Sequence, residues 1–209
     1  MKINEIFYSI QGEGKWTGRP NIFIRTTGCN LRCTYCDTKY AYENGKELKV
    51  NEVLKKIEKY NCNYVCITGG EPLLQDDIFD LIKKLYSKNY LVLIETNGSI
   101  DIKKLIEFEK LIISLDIKCP SSKMDKEMEL KNIGLLNKED QMKFIIKNKL
   151  DYNYAKEIIT KFKPKCDIYF QPVWGENPKI IAEWIISDNL NVKLGLQLHK
   201  ILWGLKRRV

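Results

Sequence analysis

Cys29, Cys33 and Cys36 lie within eight residues of each other, in the stretch RTTGCNLRCTYCDTKY (25–40). Three thiolates at this spacing pose a definite chemical question. A closed structural zinc site takes four protein ligands, commonly as two paired knuckles, and a disulfide takes two. A [4Fe–4S] cluster has four irons, and four cysteines close it for electron transfer. Three cysteines leave one iron open to a substrate or cofactor. The C-x3-C-x2-C spacing lets one loop wrap three corners of the cube, and Gly28 gives the backbone freedom to turn into that loop. The other cysteines, Cys62, Cys66, Cys119 and Cys166, are scattered. Cys66 sits inside the apolar run YVCIT and reads as a small core residue. The competing reading is a zinc site that adds a distant cysteine or His199. That single histidine sits in a C-terminal apolar run and reads as structural.

Such a loop needs a scaffold, and the chain is long enough to supply one. Its 209 residues are 44% hydrophobic and 30% charged, ordinary proportions for one globular domain, 1–209. Seven clustered-and-scattered cysteines do not form a disulfide framework. The N-terminal stretch MKINEIFYSIQGEG carries charges where a signal peptide needs an apolar run. No apolar stretch approaches a membrane span. The expectation is a cytoplasmic protein with no membrane partner. The formal charge of +8 is spread over Lys-rich segments and the terminal LKRRV. It reads as solvated helix faces, or as a preference for an acidic small molecule, rather than as a nucleic-acid surface.

Apolar runs and helical stretches alternate along the chain. Strands are expected at 21–27, 64–68, 90–96, 111–118, 141–147 and 167–171, with one more over 192–199. Helices are expected at 51–60 with Asn51 as N-cap, 76–88, 101–110, about 151–162 and about 179–187. This order implies parallel strands joined by crossovers. Six units are too few for an eight-stranded barrel, so the fold class is α/β, a partial and open (β/α)6-type barrel. The unusual polar motifs TTGC, TGGEP, ETNG, DIKCPSSK and QPVWG each fall just after a strand. In α/β folds those positions share the rim at the carboxyl ends of the strands, where ligands bind.

The cysteine loop, followed by TGGEP (68–72), resembles the radical S-adenosylmethionine (SAM) enzymes. In these the open iron is chelated by the amino and carboxylate groups of SAM, and the glycines of the second motif admit its methionine end. Gly69 and Gly70 remove side chains that would block that approach. The stretch YSIQGEGKWTGRPNIFIRTTGCNLRCTYCDT, with TGGEPLL, ETNG, PSSKM and LQLHKILWGLKRRV, resembles the 7-carboxy-7-deazaguanine synthases over nearly the whole chain. That family has a radical SAM barrel trimmed in its helices.

The resemblance implies a lyase that converts 6-carboxy-5,6,7,8-tetrahydropterin to 7-carboxy-7-deazaguanine with loss of ammonia. This reaction belongs to 7-deazapurine biosynthesis, for tRNA bases such as queuosine or archaeosine. It implies a [4Fe–4S] cluster on Cys29, Cys33 and Cys36, SAM, and Mg2+ on Thr38. SAM would meet Tyr35, Cys36, Asp37, Gly70, Asp116, Ile117, Lys118, Gln171, Pro172, Val173 and Trp174. Asp116-Ile117-Lys118 stands where family members often carry Ser-Pro-Lys. The pterin would meet Ile10, Gln11, Gly12, Glu13, Arg25 and Thr68. Arg25 suits a bidentate pair with the substrate carboxylate. Glu95 of ETNG is expected at the rim, against SAM or substrate. A flavodoxin- or ferredoxin-type electron donor and a homodimer are implied, and direct nucleic-acid binding is not. The alternatives are another radical SAM enzyme, such as a glycyl-radical activase, and a zinc-stabilised nucleic-acid-binding module.

Overall fold

The computed structural model describes residues 1–209. Nine strands form one sheet: β1 (Lys2–Ile10), β2 (Pro20–Thr26), β3 (Lys46–Glu47), β4 (Tyr64–Gly69), β5 (Leu91–Thr96), β6 (Ile112–Ile117), β7 (Gln141–Ile146), β8 (Asp167–Pro172) and β9 (Lys193–Leu194). Their order is β3-β1-β2-β4-β5-β6-β7-β8-β9, and the two edges do not pair. From β2 to β9 the strands are parallel, which gives the open barrel expected. The strand β1 was not anticipated. It runs antiparallel to β2, with a register shift between Ile3 and Glu5 that sets Glu5 opposite Arg25.

Five α-helices accompany the sheet: α1 (Val50–Ile57), α2 (Ile78–Ser87), α3 (Lys149–Phe162), α4 (Pro178–Ser187) and α5 (Leu198–Trp203). The first four bury apolar stripes, such as Val53, Leu54 and Ile57 or Ile78, Leu81, Ile82 and Leu85, against the outer face of the sheet. No helix is long and apolar enough to cross a membrane.

Strand periodicity then decides which side chains reach the inside. Successive residues point to opposite faces. Ile22, Ile24, Val65, Ile67, Val92, Ile94, Leu115, Ile117, Phe144 and Phe170 join the helix-facing core. The alternate positions face inward. At the barrel floor Phe23, Cys66 and Leu93 pack with Trp16 into a second, small apolar cluster. Further toward the carboxyl ends, the inward residues are Arg25, Thr68, Glu95, Asp116, Lys143 and Gln171, one from each of six parallel strands and staggered upward from β5 to β8.

Three local expectations are corrected. Asn51 is not the N-cap of α1. The cap is Lys49, whose amide donates to Glu52 Oε2 at 2.8 Å, while Asn51 Oδ1 accepts from Lys84. The segment 101–110 holds only a single 3-10 turn, Leu105–Glu107. Side chains hold its start instead: Asn132 Oδ1 accepts from the Ile102 amide and Asp101 Oδ1 from the Lys103 amide, while Asn132 Nδ2 donates to the Gly98 and Ile100 carbonyls just before it. The stretch 192–199 yields only the two-residue β9. At Gly195 the chain leaves the sheet, and the Leu198 amide donates to the Gly12 carbonyl at 3.0 Å as α5 begins. Alternating Val192, Leu194, Leu196 and Leu198 imitates a strand, but contact with the loop after β1 overrides it.

Candidate active site

A cavity of about 780 Å³ opens at the carboxyl ends of the strands. The loop after β2 brings Cys29, Cys33 and Cys36 to its wall, all free and half-buried. Gly28 begins that loop with φ +100°, a conformation that favours glycine. Its carbonyl accepts from the Glu71 amide at 2.7 Å. A Cβ on Gly70 would lie 2.0 Å from that carbonyl oxygen and 2.9 Å from Cys29 Cβ. The space glycine leaves at position 70 is therefore filled by the chain's own cysteine loop. The close approach of that loop is thus a reason for glycine at position 70 besides the expected approach of SAM. Gly69 is similarly closed off by Thr26.

Glu71 ties in the next loop. Its carboxylate accepts from the Leu73 amide, from Thr96 Oγ1 at 2.8 Å and from the Asn97 amide at 2.6 Å. Asn97 Oδ1 accepts from Ser99, which turns its Nδ2 toward Asn30 Oδ1 and, at 3.6 Å, Cys29 Sγ. The loops after β2, β4 and β5 are thus joined around Cys29.

Beyond the cysteines the cavity is a chain of ion pairs. Lys143, with a side chain 4% exposed, meets Glu13 at 2.7 Å and Asp116 at 3.4 Å. Asp116 also pairs with Lys118 at 2.9 Å. Burial works against the Glu13 and Asp116 carboxylates, but the lysines outweigh it and hold both below the usual range. Burial also opposes the charge on Asp37, yet Lys200, Thr38 and Gln197 pull it down to about 2. Burial pushes the Cys33 thiol up, with Lys118 pulling the other way. His199 is depressed by burial, against the field of Glu13, and is neutral at pH 7. Glu95 accepts from Thr68 Oγ1 at 2.8 Å and from Gln11 Nε2 at 3.4 Å.

Of the residues expected at the site, every one except Ile117 lines this cavity. The Ile117 side chain is one step out of phase on β6 and lies in the helix-facing core. Arg25 is also arranged differently from expectation. Its Nε donates to Glu5 at 2.9 Å, so only its terminal NH2 groups are free for a ligand. Sequence reasoning missed Glu5, Lys143, Lys200 and His199 as cavity residues. Lys143 had a signal, a lone cation inside the apolar strand QMKFII, while the others depend on tertiary approach.

The donor set suits the groups the sequence suggested. The thiols of Cys29, Cys33 and Cys36 would supply soft ligands of the kind that hold an iron–sulfur cluster. Gln171 Oε1 is a buried acceptor without a hydrogen-bond donor on a residue that lines the cavity, and a polar group of SAM would supply that donor.

Comparison with known proteins agrees with this geometry. Residues 23–165 match the family model of the radical SAM superfamily. The chain is 40% identical to a 7-carboxy-7-deazaguanine synthase of Thermoplasma acidophilum, over 98% of both chains. It is 42% identical to one of Methanospirillum hungatei, over 97% of this chain and 85% of that one. The crystal structure of QueE from Escherichia coli superposes with a TM-score of 0.78 at 25% identity, over 95% of this chain and 94% of that one. Streptococcus suis SuiB bound to S-adenosylmethionine shares the fold, with a TM-score of 0.60 at 15% identity over 82% of this chain and 48% of that one.

Glu71 gives a pH signature. Burial raises its carboxyl to about 7, against 4.5 when unfolded. The folded state therefore binds the extra proton between those values, and stability falls as pH rises from about 4.5 to about 7. The change is on the order of 3 kcal/mol. Urea denaturation of the parent should show this fall, and Glu71→Gln should flatten it. An equal slope in both proteins would assign the titration elsewhere.

Proposed function

The chain belongs to the 7-carboxy-7-deazaguanine synthase family of the radical SAM superfamily, and from that premise we propose that it converts 6-carboxy-5,6,7,8-tetrahydropterin into 7-carboxy-7-deazaguanine and ammonia. The observation that carries this reading is the single cavity in which the cysteine loop faces the inward row Arg25, Thr68, Glu95, Asp116, Lys143 and Gln171. Cys29, Cys33 and Cys36 would hold the [4Fe–4S] cluster. With SAM, the bound cluster supplies a carbon radical able to take the hydrogen atom from C6 of the pterin. The chain's own residues bind and orient. Asp116, Lys118 and Gln171 offer polar partners to SAM beside the cysteine loop. Gln11, Glu13, Thr68 and Glu95 present acceptors and donors to the amide and amine edge of a pterin. Arg25 turns its free NH2 groups toward the substrate carboxylate.

Residues 204–209 line the same cavity. A covered chamber suits a small molecule better than the protein loop that a glycyl-radical activase admits. One domain over 1–209, a flavodoxin- or ferredoxin-type donor and a homodimeric assembly complete the reading. The product would feed 7-deazapurine biosynthesis for tRNA bases such as queuosine or archaeosine. The test is an anaerobic assay of the cluster-loaded enzyme with SAM, reductant and 6-carboxytetrahydropterin. Formation of 7-carboxy-7-deazaguanine with about one ammonia per product, the balance that ring contraction requires, supports the reading. SAM cleavage without this product overturns it.

Mg2+ belongs to the same reading, with Thr38 as its protein ligand. Thr38 Oγ1 donates to Asp37 Oδ1 at 2.8 Å, which leaves its lone pairs for a hard cation beside that carboxylate. Mg2+ takes oxygen ligands, keeps several waters and needs few protein groups. It would steady charge on the substrate carboxylate. Thr38→Ala should lower turnover and blunt the response to added Mg2+, with iron content and SAM binding unchanged. Thr38→Ser should retain most activity. Unaltered Mg2+ dependence in the alanine variant would place the ion elsewhere.

A further inference from the structure

The C-terminal segment turns back over the cavity after α5. Gly204 starts the turn with φ +64°, and Arg208 adopts φ +61°. The turn delivers two arginines to one buried carboxylate. Arg207 donates to Glu5 Oε2 at 3.1 Å and Arg208 Nε to the same oxygen at 2.9 Å. Arg25 Nε and Tyr40 OH take Oε1, at 2.9 and 3.2 Å. The Arg207 guanidinium also stacks 3.6 Å from the centroid of the Tyr40 ring. The Glu5 side chain is 2% exposed, whereas those of Arg207 and Arg208 are 46% and 60% exposed. The arginines are therefore not part of the packed core, and Glu5 is what draws them in. Burial disfavours the Glu5 charge, but the three guanidiniums outweigh it and keep the carboxylate ionised.

Three guanidiniums face Glu5, and Glu95 is the second carboxylate whose field reaches Arg25. Glu95 is itself engaged by Thr68 and Gln11. Three guanidiniums on the one Glu5 carboxylate leave N–H donors unspent on a cavity wall, where a bound anion would be favoured. Guanidiniums match a carboxylate in shape as well as charge, through parallel N–H donors.

We propose that Arg207 and Arg208 are substrate-binding residues, forming with Arg25 a three-guanidinium site, organised on Glu5, that selects pterins carrying a carboxylate at C6. The assignment rests on the substrate reading above and deepens it. The carboxylate enters between the free NH2 groups of Arg25 and the tail arginines, so the tail closes over a ligand of the right charge. Glu5 holds the guanidiniums in register before the ligand arrives, which lowers the ordering cost of binding.

The test compares two ligands on the cluster-loaded enzyme with SAM, by anaerobic titration calorimetry. One is 6-carboxytetrahydropterin and the other is 6-methyltetrahydropterin, which lacks the carboxylate. The double variant R207A/R208A should bind the carboxylated pterin about tenfold more weakly or worse, as expected for lost charge-assisted hydrogen bonds. Its affinity for the methyl pterin should change by less than about twofold. Iron content and SAM binding should match the parent. R207K/R208K keeps the charge without the fork and should recover part of the loss. Equal weakening of both pterins would make the tail a mere cover and overturn the assignment, as would unchanged affinity for the carboxylated one. A parent enzyme that binds neither pterin overturns the substrate reading itself, and the tail assignment with it.

Discussion

The site depends on a backbone contact too close for any side chain. The Glu71 amide reaches the Gly28 carbonyl at 2.7 Å, and a Cβ on Gly70 would fall 2.0 Å from the same oxygen. The strand end of β4 is thereby pressed onto the first turn of the cysteine loop. The Glu71 carboxylate carries the constraint onward to Thr96 and Asn97, and the Asn97 amide returns it to the edge of Cys29. Three loops from three neighbouring strands are locked together without help from a ligand. A carboxylate buried among hydrogen-bond donors, with its pKa raised, is a costly fastening. It earns its place by fixing the cysteines in position before any cluster is bound, as a preorganised site requires.

The parallel sheet turns this local fastening into a chamber. Each strand alternates, so one face feeds the helix-packed core and the other feeds the interior. The register between neighbouring strands sets the six inward positions as a rising, staggered row, with Asp116 two residues beyond Ser114, the partner of Glu95. The pairs Arg25 with Thr68, Glu95 with Ser114, and Asp116 with Lys143 are direct cross-strand partners. Below this level the interior is apolar, with Phe23, Cys66 and Leu93 packed on Trp16. Above it the side chains are charged and mutually paired. The apolar floor lowers the local dielectric, which strengthens the ion pairs and raises the cost of leaving one charge unmatched. That is why the pairing of Lys143 with Glu13 and Asp116, and the surplus of guanidinium at Glu5, bear on what the cavity can accept.

Much of this was legible in the sequence, for identifiable reasons. The parallel strands announced themselves as short apolar runs, and the motifs after them pointed to one rim. The cysteine spacing pointed to a cluster with an open corner. Elements failed where tertiary contact overrides local pattern. Alternating leucines in 192–199 suggested a strand, yet the approach of Leu198 to Gly12 starts a helix instead. The segment 101–110 has helical composition, but Asn132, thirty residues further on, takes the Ile102 amide and the Ile100 carbonyl at its start. Ile117 belongs to a stretch that the family resemblance sets at the site, and strand phase turns its side chain to the core. The partnership of Glu5 with Arg207 and Arg208 spans almost the whole chain. The terminal LKRRV reads as surface charge until the fold brings it home.

The central claim is that one chamber sets the hydrogen at C6 of a pterin beside SAM held at the cysteine loop. The direct measurement uses 6-carboxytetrahydropterin deuterated at C6, turned over anaerobically by the cluster-loaded enzyme, with SAM recovered and analysed by mass spectrometry. The account predicts deuterium in the recovered SAM or its 5′-deoxyadenosine, accumulating as 7-carboxy-7-deazaguanine forms. Product formation with no deuterium in either, under conditions where the label is retained in unreacted substrate, would contradict it.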